Sequence, residues 1–267
     1  SLLEHLDPSR DVMRKFHILA KRAPARIVFP EGSNQNIIQA AVNIRDEGIG
    51  KPILLAKDAK VLREDMEELG LSSEGIDIIE PKSSPIRSKL MEAYYQLRQR
   101  KGITQTLAEL DIRNYFYFGT MMVHEGEADA LIGGITVNYP DLLRPALKIV
   151  GPESGEHVVA GMYMLIHHNR LYCLSDCAVN IDPTAEELAE IALLSAREME
   201  FLQIPPRVAM LSLSNFGSVR ARETEKITRA IELFRTARPD IPIDGPLQAD
   251  YALNPEALRQ HFPFSRL

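Results

Sequence analysis

Short apolar runs alternate along the chain with stretches in which apolar residues recur every three or four positions, and this alternation predicts the elements. ARIVFPEGS reads as a strand closing on Pro30-Glu31-Gly32. Ser33 fits an N-cap, and Ile37, Ala40, Ala41 and Ile44 fall at helical spacing until Gly48 ends the helix. KPILLAKD is the next strand, AKVLREDMEELGL a helix and IDIIEP a strand. Two helical stretches follow, LMEAYYQLRQRKG and TQTLAELDIRNYFYFGTMMVHEG, then the strand ADALIGGI and the helix PDLLRPALKIV. Strand and helix in alternation mean an α/β unit with a largely parallel sheet.

Near GPESGEH the pattern changes. HVVAGMYMLIHHNRLYCLSDCAVN reads as two strands joined at His168-Asn169, a hairpin rather than a crossover. The next helix opens at Asp182-Pro183, with Thr184 and Glu187 spaced as a capping box and Leu188, Ile191, Ala192, Ser195 and Met199 on one face. PRVAMLSLS is a strand, SNFGS a polar turn, ETEKITRAIELFRTARP a helix, IDGPLQADYAL a Gly-Pro turn, and PEALRQHFPFSRL closes the chain. The division expected is a helical leader or linker at 1–25, a first α/β lobe at 26–150 and a second, with the hairpin, at 151–267.

A chain of 267 residues exceeds what one compact core usually organises. Its 45% hydrophobic and 25% charged residues are ordinary for a soluble globular protein. A formal charge of -6 argues against a nucleic-acid partner, which calls for a basic face, but leaves room for a small anion met by a few arginines. No apolar run approaches the roughly 18 residues needed to cross a bilayer, and the charged start SLLEHLDPSRDVMRK is unlike a signal peptide. The expectation is a cytoplasmic protein with no membrane partner. Cys173 and Cys177 are too few and wrongly spaced for a zinc or disulfide framework, so two reduced, mostly buried thiols and no metal site are expected. Ser1 in place of Met is compatible with a piece of a longer chain.

Four stretches could carry chemistry. Gly133 and Gly134 end a strand and lead through Thr136 and Asn138 to a helix holding Arg144. Glycines there allow close backbone approach, and the arginine could add a charge-assisted contact to phosphate. The same residues also make an ordinary tight turn and a surface arginine. Arg98, Arg100 and Lys101 before Gly102 either clamp an anion or simply complement a helix C-terminus. Ser214, Asn215, Gly217 and Ser218 can donate to a phosphate or carbonyl, or cap the next helix. Asp244, Gln248 and Asp250 could orient a ligand or supply a general base, although turn chemistry alone accounts for Asp-Gly-Pro. Neither a dinucleotide fingerprint nor a P-loop is present, and no G-x-S-x-G surrounds a serine.

In order, FPEG, LRQRKG, YFGTMMVHEGEADALIGG, LLRPAL, SDCAVNIDPTAEELAEIAL, PRVAMLSLSNFGS and IDGPLQADYAL resemble the phosphate acetyltransferase (phosphotransacetylase) family from about residue 26 onward. Within it, DVMRK, RNYFYFGTMMV, Asn138-Tyr139 and SNFGS most resemble the C-terminal domain of large NADP-dependent malic enzymes. The resemblance implies a two-lobed α/β fold of doubly wound, largely parallel sheets, of the isocitrate/isopropylmalate dehydrogenase type, with CoA and acetyl phosphate meeting in a cleft between lobes. It assigns Arg98, Arg144, Gly133, Gly134, Thr136 and Asn138 to the phosphate or acyl phosphate, and Ser214, Asn215, Gly217, Ser218, Asp244 and Gln248 to the CoA loops. It places the catalytic Ser-Arg pair and an Asp beyond Leu267, so no catalytic residue is assigned within this chain, and the first lobe lacks its returning segment.

The leading expectation is accordingly a regulatory acetyl-CoA-binding domain of a malic enzyme. Its parent would oxidatively decarboxylate malate to pyruvate, with NADP and a divalent metal held in a covalent upstream domain. The alternative is an active phosphate acetyltransferase passing acetyl between acetyl phosphate and CoA. A hydroxy-acid dehydrogenase would require an aspartate cluster that the sequence lacks, and a scaffold would bind no ligand. No covalently bound cofactor is expected, and His157 to Asn180 is the expected contact of a homodimer or larger homo-oligomer.

Overall fold

The computed structural model describes residues 8–153, 155–167 and 170–267. The chain divides into two compact units, Ser1–Gly151 and Pro152–Leu267.

In unit 1, helix α1 (Pro8–Arg22) precedes β1 (Ala25–Phe29), α2 (Gln35–Asp46), β2 (Gly50–Leu55), α3 (Ala59–Glu68) and β3 (Asp77–Ile79). Then come α4 (Arg87–Arg98), α5 (Gln105–Ile112), α6 (Tyr115–His124), β4 (Ala130–Leu131) and α7 (Tyr139–Ile149). The four strands form one parallel sheet in the order β3-β2-β1-β4, with Val28 opposite Ile53 and Leu131. Alternation along the strands sends Val28, Ile53 and Leu55 to a face covered by Tyr94, Ile112, Phe118 and Met121, and Phe29 and Leu54 to a face covered by Ile38, Ala41, Leu62 and Met66. Helices thus pack on both faces of a parallel sheet, the arrangement that continuous apolar strands demand.

Two local expectations shift. The cap of α2 is Asn34, whose side chain accepts from the Asn36 amide at 3.0 Å, one residue past Ser33. The long helical stretch breaks because Asn114 turns its side-chain oxygen to the Phe116 amide at 2.8 Å and starts α6 afresh. β4 is only two residues long, and its position is fixed from just outside the ladder. The Arg26 guanidinium donates to both Asp129 oxygens, at 3.1 and 2.6 Å, and the Arg26 amide adds a third bond at 2.7 Å.

In unit 2, β5 (Met162–His167) and β6 (Arg170–Ser175) pair antiparallel, with His167 opposite Arg170. The joint read at His168-Asn169 lies outside the described residues. Helix α8 (Ala185–Phe201) starts at the Thr184–Glu187 capping box, and β7 (Val208–Leu211), α9 (Arg222–Ala237) and β8 (Ile243–Leu247) follow, the two strands pairing parallel. β8 is a correction, since IDGPL is a buried strand instead of a turn. Gly245 makes this possible: its φ is 141°, and a Cβ there would meet the Met210 carbonyl oxygen at 2.5 Å. Short helices α10 (Ala249–Leu253) and α11 (Pro255–His261) end the unit. Its core joins Ala192 and Ala196 of α8 to Ile227, Ile231 and Phe234 of α9 and Ile243 of β8.

Both cysteines are free. Cys173 is half-buried, but Cys177 is exposed rather than buried, in a turn whose amides at Val179 and Asn180 are gathered by Asp176. Among the described residues no helix is long and apolar enough to cross a membrane, and no group of three or more His, Cys, Asp or Glu is placed to hold a metal.

Candidate functional site

The strand order locates the site. From β1 the chain winds outward to β2 and β3, whereas β4 lies on the other side of β1, so the sheet reverses direction between β1 and β4. In open α/β sheets ligands bind beyond the carboxyl ends of the strands at such a reversal. The segments leaving these two strands are residues 30–34 and 132–138, so the glycine-rich turn singled out in the sequence stands at the switch point.

The structure shows what its backbone amides meet. Glu31, the middle residue of Pro-Glu-Gly, aims its carboxylate at the turn 103 residues later. One oxygen accepts from the Gly134 amide at 2.6 Å and the Ile135 amide at 3.1 Å, and the other from the Thr136 amide at 2.5 Å and the Thr136 hydroxyl. Gly134 has a φ of 112°, and a Cβ on Gly133 would come within 2.8 Å of the Phe116 ring and 3.2 Å of Glu31 itself. The two glycines therefore give the carboxylate its room. Partial burial pushes the Glu31 carboxyl up, but the Thr136 hydroxyl and the three amides outweigh it and hold the group below the usual carboxylate range.

The remaining unit 1 candidates stand after this clamp or on another helix. Asn138 is the exposed N-cap of α7, with Pro140 in the first helical turn. Arg144 lies on the same helix, 58% exposed at its side chain, with only a 3.3 Å contact to Asp141 one turn back. Arg98 ends α4 half-buried, and its Nε is buried without a hydrogen-bond partner, a donor left over for an incoming acceptor. Arg100 and Lys101 form a short 3-10 turn that ends at Gly102, with a φ of 88°.

Of the unit 2 candidates, Ser214, Asn215, Gly217, Ser218 and Gln248 follow the carboxyl ends of β7 and β8, whereas Asp244 is the second residue of β8, near its other end. Asn215 donates to the Gln248 side chain at 2.6 Å and accepts from the Gln248 amide at 2.8 Å, while Gln248 also donates to the Leu213 carbonyl. This clasp pins the turn in which Phe216 adopts a φ of 45° and Gly217 one of 83°, and Ser218 closes it by accepting from the Asn215 amide at 3.3 Å. Ser214 is 3% exposed and its hydroxyl has no partner. Asp244 lies 7% exposed in β8, paired with Arg235 at 3.0 Å and accepting from the Arg266 amide at 2.9 Å. Asp250 is exposed on α10.

Sequence reading missed Glu31 and Asp176. Each is a lone carboxylate in a turn that gathers several backbone amides, and the only local signal is an acidic residue one or two positions after a strand.

A parallel sheet with helices on both faces and a glycine-rich turn at its switch point defines an α/β protein of the open-sheet kind, whose ligands are met by loops. The family described as phosphate acetyl/butaryl transferase matches residues 11–267, and the chain belongs to it. The phosphate acetyltransferase of Nitrosomonas europaea is 39% identical over 246 residues, covering 92% of this chain and 35% of that protein. The Bacillus subtilis phosphate acetyltransferase is 33% identical over 242 residues, 91% of this chain and 74% of that protein. The solved phosphotransacetylase of Streptococcus pyogenes superposes with a TM-score of 0.88 at 33% identity, over 97% of this chain and 78% of that one. The chain spans about a third of the length of the first curated relatives it matches.

These likenesses overturn the reading as a malic-enzyme regulatory domain. The matches across more than nine-tenths of the chain are to phosphate acetyltransferases, and none of them supports an oxidoreductase or NADP. One of the residues that suggested otherwise has a local reason of its own: Asn215 is clasped to Gln248, while Asn138 stands at the N-cap position of α7 without a side-chain capping bond.

Proposed function

We propose that the protein is a phosphate acyltransferase that passes an acetyl group between acetyl phosphate and CoA. The observation that carries this reading is the family match over nearly the whole chain, and the placement of the Gly133-Gly134 turn at the sheet's reversal supports it. In the reaction the CoA sulfur bonds to the acetyl carbon, the bond from that carbon to the phosphate oxygen breaks, phosphate leaves with the electron pair, and the thiol proton passes to a base.

Such a displacement needs cations at the leaving phosphate. We assign Arg144 and Arg98 to that role, with Asn138 beside the first. Arg98 carries a buried donor without a partner, and Arg144 has only a long contact at the surface, so both can take a phosphoryl oxygen without first breaking a strong ion pair. The amides of Gly134 and Thr136 are occupied by Glu31, so these residues and Gly133 enter as the frame of the phosphate site. In unit 2, Ser214, Asn215, Gly217, Ser218, Asp244 and Gln248 are assigned to CoA, with Ser214 the residue whose hydroxyl is unspent. A two-lobed isocitrate/isopropylmalate dehydrogenase-like architecture with a leader at 1–25 and lobes at 26–150 and 151–267, a homo-oligomer and a cytoplasmic setting belong to the same reading and rest on the likeness.

The test is direct. The protein should form acetyl-CoA from acetyl phosphate and CoA, with phosphate released in equal amount, and Arg144→Ala should lower kcat/KM by about a hundredfold, as expected for one lost charge-assisted phosphate contact. No acetyl-CoA from the wild-type protein would overturn the reading.

A further inference from the structure

We propose that Glu31 is a positioning residue for the phosphate-handling turn, holding it by acting as a built-in anion; this rests on the transferase reading above. The turn has little else to hold it. Gly134, Ile135 and Thr136 are all exposed, and no apolar side chain of theirs is buried. Three successive amides that point one way make a concavity for an anion. Here that anion is covalently part of the chain, with four hydrogen bonds shared between its two oxygens.

The anchor itself is fixed. Pro30 follows β1 directly, and Gly32, on the other side of Glu31, packs so close to β2 that a Cβ would lie 2.6 Å from the Leu55 carbonyl oxygen. Glu31 therefore projects from a segment that cannot shift without disturbing the central strands. The turn it holds runs within two residues into Asn138, the cap of α7, and so sets where that helix begins and where Arg144 is presented. A carboxylate in the amide concavity also keeps a ligand phosphate out of it, which leaves the phosphate to the arginine side chains. The residue acts through the turn, without touching substrate.

Glu31→Ala in the full chain, which removes all four bonds, should raise amide exchange at 134–136 and the KM for acetyl phosphate by at least about tenfold each, while the KM for CoA stays unchanged. Added formate should refill the concavity, slowing exchange and recovering much of the lost affinity. A general loosening of unit 1 would not respond to formate in this way. Glu31→Gln keeps the shape but loses one acceptor, so its effect should be intermediate, and it serves the same test if the alanine variant fails to fold. Faster exchange that formate reverses, with an unchanged acetyl phosphate KM, would overturn the positioning role alone. Unchanged exchange at 134–136, or no effect of formate, would overturn the clamp. A wild-type protein without transfer would overturn the transferase reading and this role together.

Discussion

Arg26, near the start of β1, and Glu31, just past its end, lie five positions apart, and each reaches a partner 103 residues further on. Arg26 fixes β4 through Asp129, and Glu31 fixes the turn that β4 leads into. The Arg26 fork, and then its backbone amide, hold the Asp129 carboxyl at about 2, below its ordinary 3.8. A depressed carboxyl stabilises the fold above its unfolded value and loses that contribution as pH falls through the folded one. Asp129→Asn should therefore lower the Tm at neutral pH, and the gap between variant and wild type should close between about pH 4 and pH 2. A gap that is constant down to pH 2 would contradict the ion pair. In unit 2, Asn215→Ala should cost about 1–2 kcal/mol in chemical denaturation, because it leaves the backbone amide and the side-chain oxygen of half-buried Gln248 without partners. Neither tie was legible in the sequence, for a plain reason. Periodicity reports neighbours within a turn or a pleat, whereas Glu31 and Asp129 owe their roles to strand order.

At the scale of elements the sequence was informative wherever packing follows a regular period. The buried positions of α2, Ile37, Ile38, Ala41 and Val42, are close to the face that its spacing predicts. The capping box at Thr184 and Glu187 is legible as written because both bonds are local. Thr184→Ala should cost about 1 kcal/mol and shorten α8 at its first turn, which denaturation and helical circular dichroism would show. The misses fall where one residue overrides a period. Asn114 breaks one helical stretch into two, and Gly245 lets IDGPL run as a strand although the same letters spell a turn. Gly245→Ala should destabilise by at least about 2 kcal/mol, since its φ of 141° and the Met210 carbonyl both oppose a side chain. A variant as stable as the wild type would contradict that backbone path.

Over the whole molecule, the division into two compact α/β units and the membership in the phosphate acetyl/butaryl transferase family give the candidate residues their context. The order of weak motifs pointed to the family, and three of them, FPEG, the Gly133-Gly134 turn and SNFGS, follow the ends of β1, β4 and β7. At the finer level the likeness of Asn138-Tyr139 and Asn215-Phe216 to a regulatory domain does not carry over: Asn215 answers to its clasp with Gln248, and Asn138 stands at the start of α7 without a side-chain capping bond. The proposed phosphate site is the reversal between β1 and β4, framed by Glu31 and residues 133–136 and charged by Arg144. Titrating the protein with inorganic phosphate while following its backbone amide chemical shifts tests this most directly. Saturable shifts concentrated at 132–144, and lost in Arg144→Ala, are the result predicted. Shifts confined to other parts of the chain, or none at millimolar phosphate, would contradict it.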